Sequence, residues 1–154
     1  MIVGMSYKKV AEMSTRMNRA EMGVATPTSF HNKKMYFEFL SHFETRNLEK
    51  IEAGVLNYFH ATAKINASHP INEAAQGVGY YLDIILPIAQ SLDGFTRQNY
   101  IVLAGEYQGT EWVTSTGYFY GHFNKPLFGI PPSNRMAFLR FGEFHKIENG
   151  KITE

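Results

Sequence analysis

Apolar residues along this chain change their spacing twice, and each change marks a change of element. Across residues 32–59 they recur at three and four: Tyr36, Phe39, Leu40 and Phe43, then Leu48, Ile51, Val55, Leu56 and Phe59. That spacing lines one face of a helix. Thr45-Arg46-Asn47 interrupts it, so two helices are predicted, with Asn47 capping the second. Residues 63–69 alternate instead, with Ile65, Ala67 and His69 on one side and Lys64, Asn66 and Ser68 on the other. This is a short half-buried strand, stopped by Pro70. A further helix is predicted to open at Asn72 or Glu73 and to pass through Val78, Tyr81, Leu82, Ile85 and Ile88, kinked or shortened by Pro87 and ended by Leu92-Asp93-Gly94.

From Thr96 the period is two. Residues 97–107 and 110–123 read as strands joined by a tight turn at Gln108-Gly109. That turn pairs Tyr107 with Thr110, Leu103 with Thr114 and Asn99 with Tyr118. One face then carries Ile101, Leu103, Trp112 and Tyr118; the other carries Tyr100, Val102, Val113 and Phe119. Both are apolar, so helices are expected to cover one face and a partner or lid the other. A Pro- and Gly-containing loop follows, then a third strand at residues 136–147, a turn at Asn149-Gly150 and the start of another strand at residues 151–154. So short a terminal edge strand is expected to be weakly held, and the natural chain to continue past it.

Alternation on the third strand sets Ala137, Leu139, Phe141, Glu143, His145 and Ile147 on one face. A carboxylate there is costly unless paired or hydrogen-bonded, and His145, two residues on, is the candidate partner. Burial raises the acid's pKa and a protonated His145 lowers it, so the pair is expected to titrate near neutrality and to move a proton. His69 shares a face with Ile65 and Ala67 and is a weaker candidate beside a structural reading. Tyr100, Trp112, Tyr118, Tyr120 and Phe141 are expected to line a pocket or a dimer surface, with core packing as the alternative for each.

At 154 residues the chain suits one domain, and 44% hydrophobic against 19% charged residues describes a globular one. The net charge of +1 is scattered, which argues against nucleic acid as a partner. Without cysteine, disulfides, thiolate metal sites and cysteine nucleophiles are excluded. No H-x-H or H-E-x-x-H spacing suggests a metal, and no apolar run suits a membrane span. Residues 1–22 carry no signal-peptide pattern, so a cytoplasmic location is the default expectation. Within them, residues 7–22 repeat Met and Ala at loosely helical spacing. The 14% aromatic content favours a curved sheet around a pocket, or an adhesive interface.

Gly129-Ile130-Pro131-Pro132-Ser133-Asn134-Arg135, then Leu139-Arg140-Phe141-Gly142-Glu143-Phe144 and Glu148-Asn149-Gly150-Lys151-Ile152, resemble motifs of the SnoaL-like polyketide-cyclase branch of the nuclear transport factor 2-like superfamily. Ala104-Gly105-Glu106, residues 112–121 and Ser68-His69-Pro70 resemble parts of the same group. The resemblance implies an α+β, cone-shaped fold with helices packed on a curved, mostly antiparallel sheet. It assigns residues 35–154 to the domain, C-terminally truncated, and leaves 1–34 as a helical or disordered extension. It further implies a homodimer and cofactor-free proton transfer next to a carbonyl in a small, largely apolar molecule, as in cyclases and isomerases. Glu143 falls at the family's acidic position as general acid/base, with His145 or His69 assisting. In Gly117-Tyr118-Phe119-Tyr120-Gly121, Phe119 stands where many members carry histidine. That departure keeps open a non-catalytic ligand-binding or dimerisation module of the same fold.

Overall fold

The computed structural model describes residues 25–68 and 71–154, so His69, Pro70 and residues 1–24 lie outside the described residues. Helix α1, Pro27–Glu44, starts earlier than its apolar period suggested. Thr26 Oγ1 accepts from the Ser29 amide at 3.0 Å, Ser29 Oγ accepts from the Thr26 amide at 3.1 Å, and Pro27 sits in the first turn. This reciprocal cap satisfies amides that the helix leaves unpaired, and proline's fixed φ suits that position. Ser29 and Asn32 are buried, so the folded unit begins ahead of residue 35. Helix α2, Leu48–Tyr58, is capped by Asn47, whose Oδ1 accepts from the Lys50 amide at 3.1 Å.

Strand β1, Lys64–Ala67, pairs antiparallel with β2, Glu73–Gln76, where a helix was expected. Glu73-Ala74-Ala75-Gln76 has good helix propensity, but pairing with β1 overrides it, and Gly77 at φ 113° breaks the chain before α3, Val78–Ser91. Pro87 does not shorten α3, which runs on to Ser91 and directly into the main sheet.

That sheet contains β3, Leu92–Tyr107; β4, Thr110–Phe123; β5, Met136–Glu148; and β6, Lys151–Ile152, all antiparallel in that order. Gln108-Gly109 and Asn149-Gly150 turn with both residues at positive φ, the left-handed pair that two-residue hairpins require. Strand β3 is bulged between Asp93 and Thr96 and again between Asn99 and Ile101. The second bulge pairs Asn99 with Gly117 rather than Tyr118 and moves Tyr100 to the face of Tyr118, with ring centroids 5.8 Å apart. Beyond it, Arg97 and Asn99 point inward.

The inner face of the sheet packs on the helices around Tyr36, Phe39, Phe43, Ile51, Val55, Val113 and Phe119. The last residues are held on two sides. His60 and Lys64 donate amides to the carbonyls of Ile152 and Thr153, at 2.8 and 2.9 Å, while Lys146 of β5 accepts from the Thr153 amide at 2.9 Å and donates its own to the Glu154 carbonyl at 3.0 Å. Ile152 is fully buried, so this edge is not weakly held. Among the described residues no helix is long and apolar enough to cross a membrane.

Candidate functional site

The inner face of β5 delivers Glu143 and His145 side by side, with His145 Nε2 3.2 Å from Glu143 Oε2. His145 is buried between the rings of Tyr36 and Phe59, at 5.2 and 5.8 Å. The partner that dominates the carboxylate is Arg97 from β3. Its Nη2 lies 2.5 Å from Glu143 Oε2 and its Nη1 3.4 Å from Oε1. Tyr36 of α1 and Tyr81 of α3 each place a hydroxyl 3.3 Å from Glu143, on Oε2 and Oε1 respectively. Ser115 of β4 is 2.8 Å from the Tyr36 hydroxyl, which also accepts from Arg97 Nη2 at 3.0 Å.

Arg97 has little room to move. Its side chain is 1% exposed and its guanidinium faces the rings of Phe141, Phe43 and Phe119 at 4.5, 4.9 and 5.4 Å. Its Nε donates to Asn99 Oδ1 at 3.1 Å. Glu143 keeps 17% exposure. Phe119 occupies the position expected for a polar group and stacks on Phe141 and Phe95, at 4.5 and 5.7 Å, as a wall of the cage.

Burial pushes the Glu143 carboxyl upward, but the Arg97 charge, followed by the bond to His145, outweighs it and holds the group well below the usual carboxylate range. The expectation that Glu143 titrates near neutrality is therefore corrected, because a cation the strand pattern did not reveal, Arg97, holds the acid as an anion. Burial, and to a lesser degree the Glu143 charge, pushes the hydroxyls of Tyr36 and Tyr81 upward, so both remain protonated donors. Arg97, which burial alone would lower, is raised by Glu143. Such a cluster favours Glu143 as a carboxylate, its charge matched by the Arg97 cation.

Of the other expected site residues, Phe141 joins this cluster. Tyr100, Tyr118 and Tyr120 lie on the outer face with Phe138, where the Tyr118 and Tyr120 rings meet Phe138 at 6.4 and 5.6 Å. Trp112 lines an apolar groove of about 770 Å³ on that face, beside the β3–β4 turn. These four lie on the face opposite Glu143. A second, polar groove of about 800 Å³ is lined by His60, Thr62, Glu148 and Lys151 among others, and neither groove is lined by Glu143, His145 or Arg97. Among the described residues no three His, Asp or Glu side chains gather as metal ligands would.

No family profile matches the chain, and no curated protein does. Its backbone, however, matches solved structures. A protein described as a SnoaL-like polyketide cyclase from Jannaschia sp. CCS1 superposes with TM-score 0.67 at 14% identity, over 84% of this chain and 85% of that one. TsrD from Streptomyces laurentii gives 0.60 at 16%, over 84% and 86%. AclR from Streptomyces galilaeus, described as a hydroxylase, gives 0.61 at 10%, over 81% and 75%. The chain has the α+β cone fold of the SnoaL-like polyketide cyclases, as its loop and turn motifs implied.

Proposed function

We propose that this chain is a non-catalytic binding module of the SnoaL-like cone, self-associating through the outer face of its sheet. The observation that carries this reading is the saturation of Glu143 by Arg97, Tyr36, Tyr81 and His145. A general base for a proton next to a carbonyl works best with a pKa near the working pH, whereas this carboxylate is held far below it. The small, apolar carbonyl compound expected from the resemblance would also find protein groups already on both carboxylate oxygens. Outside, Tyr100, Tyr118, Tyr120 and the 64% exposed Phe138 form an aromatic cluster of the kind that anchors a second copy.

The catalytic reading retains one favourable observation, the partial exposure of Glu143 at the family's acidic position. Titration of the Glu143 side-chain carbonyl by carbon-13 NMR separates the two. The binding module requires an ionised signal throughout the neutral and mildly acidic range; a transition between pH 5 and 8 would sink it. Sedimentation across a dilution series tests self-association, with Phe138→Glu expected to give monomers.

A further inference from the structure

The groove beside the β3–β4 turn lies at the opposite end of the outer face from the aromatic cluster. Its walls are Leu103, Tyr107, Trp112 and Phe144, and Ala25 closes one side. Phe144 is 71% and Leu103 59% exposed, a large apolar area to leave in water. Ala25 immediately precedes α1, whose start is fixed here: Thr26 Oγ1 and Ser29 Oγ donate to the two carboxylate oxygens of Glu111 at 2.5 and 2.8 Å. The described fold therefore begins, at Ala25, on the rim of this groove.

We propose that residues 1–24 of the same chain occupy it. That segment holds five of the chain's seven methionines, and Val10, Met13, Met17 and Ala20 recur at helical spacing. Methionine is the side chain that best adapts to an irregular apolar surface. Twenty-four residues reach about 36 Å as a helix and about 80 Å extended, enough to cover the near end of strands about 45 Å long. Tethering at the rim gives the segment an effective concentration of order millimolar, so it outcompetes a second copy at ordinary protein concentrations. The aromatic cluster at the far end stays uncovered, and the assignment does not depend on what Glu143 does.

Trp112 is the only tryptophan and lines the groove, so its fluorescence reports the occupant directly. In the full chain, Met13→Glu with Met17→Glu should move Trp112 emission to longer wavelength and strengthen acrylamide quenching, while wild-type emission stays constant on dilution. Unchanged emission in the variant would overturn the proposal. So would a wild-type shift on dilution, which would name a second copy as the occupant. Because the chain has no cysteine, Met17→Cys with Phe144→Cys offers an independent check using a short bis-maleimide. A cross-link within one chain is expected, and a dimer-sized product or none overturns the assignment.

Discussion

Arg97 and Glu143 show how much a buried charge depends on its counterpart. Removing one member of a buried pair leaves the other uncompensated, at a typical cost of about 3–5 kcal/mol, whereas replacing both with apolar groups is often neutral or stabilising. Arg97→Met should therefore lower stability by about that much, and Arg97→Met with Glu143→Leu should recover most of it. Urea melts of the three variants measure this. The acid's pKa supplies the sign of a second test. Glu143 is depressed in the fold, so its stabilisation is complete above the unfolded value of about 4.3 and is lost as pH falls below it towards the folded value. Glu143→Gln should remove that part of the acid dependence of the urea midpoint. In Arg97→Met burial becomes the leading influence, the carboxyl rises, and moderate acidification should relieve the variant. Glu143 and His145 were legible as neighbours because period-two alternation on an unbulged strand places side chains directly. Tyr36 was legible only as one more member of an apolar stripe, since nothing in helical spacing reveals where a hydroxyl will end.

At the scale of elements, the sequence misled most at β3, through one residue. Counting back from the correctly read turn at Gln108-Gly109, every pair holds as far as Ile101; the bulge at Tyr100 then reverses which face each residue takes. Arg97 passes from outside to inside by that reversal, which is why the carboxylate's main partner was missed. The available signal was on the opposite strand. A Cβ on Gly117 would lie 2.0 Å from the Gln98 carbonyl oxygen, and one on Gly121 2.8 Å from that of Asp93, so each glycine faces a bulge. Gly117→Ala should strain the bend and loosen the Arg97 cage, seen as lost amide protection around residues 97–99 and a lower melting temperature. At β2 propensity was the wrong guide, and Gln76-Gly77 was the break to weigh. The early start of α1 was also readable, in Thr26-Pro27-Thr28-Ser29. Thr26→Ala removes the cap and a bond to Glu111 and should cost about 1 kcal/mol.

Across the whole molecule, the turn motifs and strand lengths sufficed for the cone, since the loop at Gly129 and the turn at Asn149-Gly150 fix where β5 begins and ends. The small sheet β1–β2 contributes to the main body through residues 152–154, which bond to His60 and Lys64 on one side and to β5 on the other. The side-chain bonds there, from Lys64 and Asn66 to Glu154, span 90 and 88 positions of sequence. Closing a loop of that size costs about 4 kcal/mol in chain entropy beyond a constant. The β3–β4 hairpin and the α1–α2 pair close over far shorter separations, so this junction is expected to form after them. Interactions that form after the rate-limiting step govern how fast a protein comes apart rather than how fast it assembles. Ile152→Ala should thus leave the refolding rate in stopped-flow experiments nearly unchanged and accelerate unfolding. The strand of two residues that looked like a loose end is then the one expected to set the lifetime of the folded state.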